Sequence, residues 1–354
     1  MQLHITQKFP GVVRLKLLGQ EDEQEDANSY IPLSRFINVI ERAKTVSSYT
    51  FPQLMCAIQT ACKSISIALR KCGISQMLTL DIDKNLKYLE INRMEKYFNE
   101  LFINLISNSY TSCLIACKDN DEIIRVDHEH AGKYIVLFST TDVSRSVDSS
   151  LCIGTTFALY RKRGSTKVED KDVLQPGYKM IAGGYALYGI STVMVIAFEG
   201  GSVNSFTLDN SIGEFMLTEE NLKIPKSGDI YSANEGNIQS WDANLVDYLD
   251  KKKSAKGLHP WSSRYIGSLV GDVHRTLKFG GVYFYPPSKE NPNGKHRLIY
   301  ECNPLAFVIT QAGGIASNGK MPIINLVPEK INEKTPFYCG SHDDMEELLK
   351  ALSP

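Results

Sequence analysis

The chain has 354 residues, a length that suggests about two domains. It is 43% hydrophobic and 22% charged, so it can bury a substantial core. Its 39 basic side chains face 40 acidic ones, which excludes the basic footprint of an electrostatic nucleic-acid binder, and no apolar run is long enough to span a bilayer.

Residues 1–29 read as a polar tail, with an acidic, apolar-free run at 21–28 that solvates rather than packs. From Phe51 the apolar positions Leu54, Met55, Ile58, Cys62, Ile65 and Leu69 recur every three or four residues. They form one face of a helix that starts near Pro52 and stops at Gly73. Phe98, Leu101, Phe102, Leu105 and Ile106 mark a second helix. The pattern then changes to short β-rich runs at 134–138, 155–160, 192–198 and 205–208, separated by glycine pairs or polar loops.

Beyond Pro225 helices and strands alternate. A helix is predicted over 242–252, capped by Ser240 or Asp242, and another after Gly267. A strand over 282–285 is closed by Pro286 and Pro287. A helix opened by Pro304 stops at Gly313-Gly314, and a last amphipathic helix covers 343–352 behind Ser341. The expected class is α/β or α+β, with a strand-rich first part and a smaller alternating second part. Eight cysteines without a C-x-x-C pair read as reduced thiols of a cytoplasmic protein.

Generic catalytic motifs are missing: there is no P-loop, no G-x-G-x-x-G, no G-x-S-x-G and no H-E-x-x-H. Asp127-His128-Glu129-His130 has metal-binding residue types, but a polar loop before the strand at 134 explains it. His274 lies in a helical pattern and reads as a packed histidine.

Seven segments are more distinctive: GYALYG at 184–189, IGEF at 212–215, NEG at 234–236, RYIGS at 264–268, DVHRTL at 272–277, PNGK at 292–295 and YECNP at 300–304. In this order and at these spacings the chain resembles class I fructose-1,6-bisphosphatase over residues 31–352. The resemblance implies the layered αβαβα sugar-phosphatase sandwich, with a bisphosphatase-like domain over 30–224 and an α/β sugar-phosphate-binding domain over 225–354. It also implies a homotetramer, or a mixed tetramer with an active paralogue, and a role in carbohydrate metabolism and gluconeogenesis.

Carried over residue by residue, the resemblance places sugar-phosphate binding on Asn234, Tyr265, Tyr285 and Lys295, with Arg264 reaching across from a neighbouring subunit. A doubly charged phosphate is well served by such charge-assisted donors with hydroxyl and amide groups around them. One family tyrosine falls on Asn237 and is lost.

The reacting end departs from the family. Its Mg²⁺ ions are held there by five acids, of which only Asp119, Asp142 and Glu301 remain. Lys118 and Ser139 replace the other two, Val143 replaces a glycine, and Arg145 adds a second cation. The catalytic aspartate falls on Leu89, a metal-linked one falls on Glu95, and Glu90 stands adjacent. Glu90, Glu95 and Asp142 are therefore the candidates for whatever catalysis remains.

The expected function is sugar-phosphate binding with Mg²⁺-dependent hydrolysis lost or greatly weakened, in a binding or regulatory role. The first alternative is an active fructose-1,6-bisphosphatase with a rearranged site, the only case that needs Mg²⁺. The second is a purely structural subunit. A nucleotide (AMP) site is implied at Lys133, Tyr134 and Arg161, although the facing segment 47–52 is bulky and Pro52 lacks an N–H donor.

Overall fold

The computed structural model describes residues 31–43, 50–71, 84–141, 150–162, 168–254 and 260–353, side chains of 42–43 and 84–93 excepted. The predicted tail, Asp142, Val143 and Arg145 lie outside these residues, as does the side chain of Glu90.

Three helices come first: α1 (Leu33–Ala43), α2 (Thr50–Lys71) and α3 (Lys84–Ser107). The predicted face of α2 is its buried one, from Phe51 through Ile65. Positions 89 and 95, onto which the resemblance carried a catalytic and a metal-linked acid, both lie within the continuous helix α3. No proline or glycine interrupts residues 84–107, and Phe98, Phe102 and Ile106 are fully buried one turn apart. α1 was not foreseen, so the first part carries more helix than expected.

Eight strands follow: β1 (Ser112–Cys117), β2 (Ile124–Arg125), β3 (Tyr134–Ser139), β4 (Ile153–Arg161), β5 (Ala182–Tyr188), β6 (Thr192–Phe198), β7 (Val203–Asp209) and β8 (Glu214–Glu219). They form one sheet in the order β2-β1-β3-β4-β5-β6-β7-β8. The β1–β3 pair is parallel, and the other neighbours are antiparallel.

The second part contains β9 (Ile230–Ser232), α4 (Ala243–Lys253), β10 (Ser262–Ser263), α5 (Leu269–Phe279), β11 (Val282–Tyr285), β12 (His296–Arg297), α6 (Asn303–Gln311), β13 (Ile315–Ser317), β14 (Lys334–Thr335), β15 (Phe337–Gly340) and α7 (His342–Leu352). Five of its strands form a sheet in the order β10-β9-β11-β15-β13, and β12 pairs with β14. Asp242 is the cap of α4, its carboxylate accepting from the Asn244 N–H at 2.8 Å.

Because strand side chains alternate between faces, both faces of the large sheet must be covered where both are apolar. Tyr134, Val136 and Phe138 of β3 pack with α1, α2 and α3, while Ile135 and Leu137 pack on the opposite side with α5 and α6. The Phe102 and Phe138 rings lie 4.5 Å apart, and fully burying each such side chain contributes roughly 1.5–3 kcal/mol. α5 and α6 share this core with Tyr283 and Phe337 of the smaller sheet, and Val282, Phe284 and Tyr338 face the opposite way toward α4 and α7. The layers therefore run helices, large sheet, helices, small sheet, helices: the expected αβαβα sandwich.

Among the described residues no helix is long and apolar enough to cross a membrane. Residues 127–130 form the expected surface turn. His274 is the packed histidine expected, its Nδ1 lying 2.7 Å from the Tyr185 hydroxyl.

Candidate functional site

Two neighbouring cavities share Lys118 and Arg297 as common wall. The first, about 410 Å³, is lined by Tyr265, Tyr285, Lys295, His296 and Glu301 among others. The second, about 620 Å³, is lined by Glu95, Asn99, Asp119 and Asp121.

Local chain geometry fixes the first set. Lys295 follows a turn in which the Gly294 N–H donates to Asn291 O at 3.0 Å. Gly294 has φ of +81°, and a Cβ there would lie 2.2 Å from the Thr335 backbone, so a side chain is excluded twice over. The Lys295 ammonium sits 5.5 Å from the centre of the Tyr285 ring. Tyr265 is half-buried; burial first, then Tyr285 and Asp272, pushes its hydroxyl up to about 12, so it remains a proton donor at neutral pH.

Glu301 sits on a π-helical turn (Leu298–Cys302) leading into α6, a local widening often found at functional sites. Its Oε2 accepts the Arg297 N–H at 2.8 Å, and its Oε1 lies 3.0 Å from the Lys118 ammonium. The same ammonium donates to Thr141 O at 3.2 Å. Burial raises the Glu301 carboxyl, but the Lys118 ammonium and the Arg297 N–H outweigh it and hold the group below its ordinary value. His296 is pushed down to about 4, chiefly by burial, and is therefore neutral; its Nε2 is 2.9 Å from the Tyr283 hydroxyl.

The other acids are also engaged. The Thr141 hydroxyl donates to Glu95 Oε1 at 3.0 Å, and Asn99 Nδ2 donates to Asp119 Oδ2 at 3.3 Å. Ser139 is buried and donates to Thr141 O at 3.1 Å. Among the described residues no group of three or more His, Cys, Asp or Glu is placed to hold a metal ion. These residues do not fit a multi-ion Mg²⁺ centre, because an ammonium stands against the carboxylate that would ligate it.

The structure thus gathers Tyr265, Tyr285, Lys295 and Glu301 at one cavity, and Glu95 and Asp119 at its neighbour. Asn234 and Arg264 do not line either. Asn234 caps the turn Glu235–Ser240, and exposed Arg264 donates to Ser263 O at 2.8 Å. Lys133 and Arg161 flank the Tyr134 ring at 5.5 and 5.9 Å, but that ring is fully buried, edge-on to Phe51. Sequence reasoning missed Arg297, His296, Lys334 and Asn99. Arg297 carried a signal, a second cation two residues beyond Lys295; Asn99, on a helix far away in the chain, carried none.

Residues 31–220 match the family described as Fructose-1-6-bisphosphatase, N-terminal domain, and residues 224–353 match Fructose-1-6-bisphosphatase, C-terminal domain. The chain belongs to the fructose-1,6-bisphosphatase family. Fructose-1,6-bisphosphatase 1 of Mus musculus is 40% identical over 319 residues, covering 90% of this chain and 94% of that relative. The cytosolic fructose-1,6-bisphosphatase of Brassica napus is 41% identical over 334 residues, covering 94% and 98%. The holo crystal structure of Leishmania major fructose-1,6-bisphosphatase superposes with a TM-score of 0.83 at 32% identity, covering 91% of this chain and 99% of that one. These names favour the active-hydrolase alternative over the reading in which hydrolysis is lost. The contact of Lys118 with Glu301 weighs on the other side.

Proposed function

We propose that this family member binds a phosphorylated sugar in the cavity of Tyr265, Tyr285 and Lys295, and that its Mg²⁺-dependent hydrolysis is lost or greatly weakened. The observation that carries this reading is the Lys118 ammonium 3.0 Å from Glu301. A fixed cation there opposes any divalent ion that would neutralise a transferring phosphoryl group. Lys295 supplies a charge-assisted donor for phosphate, and Tyr265 and Tyr285 orient it.

The second reading, an active fructose-1,6-bisphosphatase with a rearranged site, is supported by the names of the relatives and by the acids Glu95, Asp119 and Glu301 around the two cavities. A cytoplasmic location is proposed by analogy with the cytosolic relative. Partnership in a homotetramer or a mixed tetramer is proposed from the family resemblance and from Arg264, which is exposed and lines neither of the two cavities.

The test is phosphate release from fructose 1,6-bisphosphate with Mg²⁺ or Mn²⁺ titrated, alongside calorimetry. Binding without turnover is the expected result. Turnover within about tenfold of an ordinary family enzyme establishes the second reading. Absence of both binding and turnover leaves a structural subunit.

A further inference from the structure

The shared wall of the two cavities is built as a cation site whose cation is part of the chain. Lys118 stands at the end of β1, where the Lys118 N–H continues the ladder by donating to Phe138 O at 3.1 Å. Its ammonium contacts a carboxylate oxygen of Glu301 at 3.0 Å and the carbonyl oxygen of Thr141 at 3.2 Å. A carboxylate and a carbonyl converging on one point is oxygen chemistry suited to a hard cation. Here that point belongs to a side chain only 18% exposed.

The surrounding groups are arranged to match. The second Glu301 oxygen is taken by the Arg297 N–H, Glu95 by the Thr141 hydroxyl, and Asp119 by Asn99. Asn99 in turn accepts from the Thr140 hydroxyl at 2.7 Å, and Thr140 O accepts from Thr155 at 2.7 Å. The segment after β3 is therefore tied to α3, β1 and β4 by protein donors. Four cations (Lys118, Lys295, Arg297, Lys334) and two carboxylates (Glu290, Glu301) line the smaller cavity, where His296 is neutral.

We infer that Lys118 is a resident cation that excludes divalent metal from this site, and that the cavity holds phosphate esters without one. The metal-excluding half stands on the geometry alone; the ligand half rests on the sugar-phosphate reading above. Attraction for an anion then comes from side chains already in place, and adding a divalent ion brings like charges together in a poorly solvated wall.

The experiment has two arms. In the first, the whole protein is titrated with MnCl₂ by calorimetry. No saturable binding is expected into the millimolar range, and Lys118→Glu, which replaces the ammonium with a carboxylate, is expected to bind. Saturable Mn²⁺ binding by the unaltered protein, abolished in Glu301→Gln, overturns the inference whether or not the Lys118 variant folds. In the second arm, inorganic phosphate and fructose 1,6-bisphosphate are titrated in EDTA and in excess MgCl₂. Equal affinities are expected, and a gain above about tenfold with Mg²⁺ overturns the ligand half. If fructose 1,6-bisphosphate binds in neither buffer, the sugar-phosphate reading falls, while the Mn²⁺ arm still decides whether Lys118 excludes metal.

Discussion

Lys118→Met isolates the ion pair, because methionine keeps most of the apolar stem and removes the charge. Glu301 is 5% exposed and Lys118 18%, so the variant leaves a carboxylate buried without its main counter-charge. Breaking a buried pair from one side costs about 3–5 kcal/mol. The Arg297 N–H still donates to Glu301 Oε2, so the low end, about 3 kcal/mol, is expected near neutral pH. The pH dependence gives the sharper signature. In the unaltered protein the Glu301 carboxyl is held low, so its stabilisation is present above the unfolded value and is lost as pH falls through the folded one. Without Lys118 burial dominates and raises the carboxyl, reversing the sign: stability is then lost as pH rises through the new value. The cost of Lys118→Met should thus be greatest near neutrality and shrink as pH falls, because the raised carboxyl of the variant takes up its proton before the lowered one of the unaltered protein. Urea denaturation of both proteins at neutral and mildly acidic pH measures this. A cost below about 1 kcal/mol at neutrality, the size of an exposed pair, or one that does not change with pH, refutes the reasoning.

Lys295→Ala should weaken fructose 1,6-bisphosphate binding by about tenfold to a hundredfold without unfolding the protein, with the loss shrinking as salt rises; calorimetry at two ionic strengths measures it. His274 and His296, both pushed down to about 4 chiefly by burial, each cost stability as pH falls from their unfolded value toward 4, by roughly 3 kcal/mol apiece. Asp344, pushed up to about 6 by burial, acts in the opposite sense between about 4 and 6, so thermal melts should show a shallower acid decline than two histidines alone give. Light scattering at micromolar concentration should show a tetramer or its constituent dimer, and a pure monomer removes the role assigned to Arg264.

Most helices and strands were legible in the chain because their causes are local or periodic, whereas the αβαβα layering followed from the family resemblance. The 51–69 stripe fixed α2, the apolar run at 134–138 marked a strand, which the structure buries on both faces, and Pro304 with Gly313-Gly314 bounded α6. The ordered motifs carried the family. Sequence also exposed the substitutions at 118 and 139, since a change of charge or length is visible wherever a motif aligns. What only the tertiary structure decided was how those substitutions are answered. That the Lys118 ammonium bonds Glu301 and Thr141, that Asn99 joins Asp119 to Thr140, and that Arg297 belongs to both cavities depend on β1, α3, the turn after β3 and the π-helical turn meeting at one point. Periodicity says which face of an element is buried, but not which side chain of a distant element stands opposite it. The electrostatics of a site are set by those oppositions over a few ångströms.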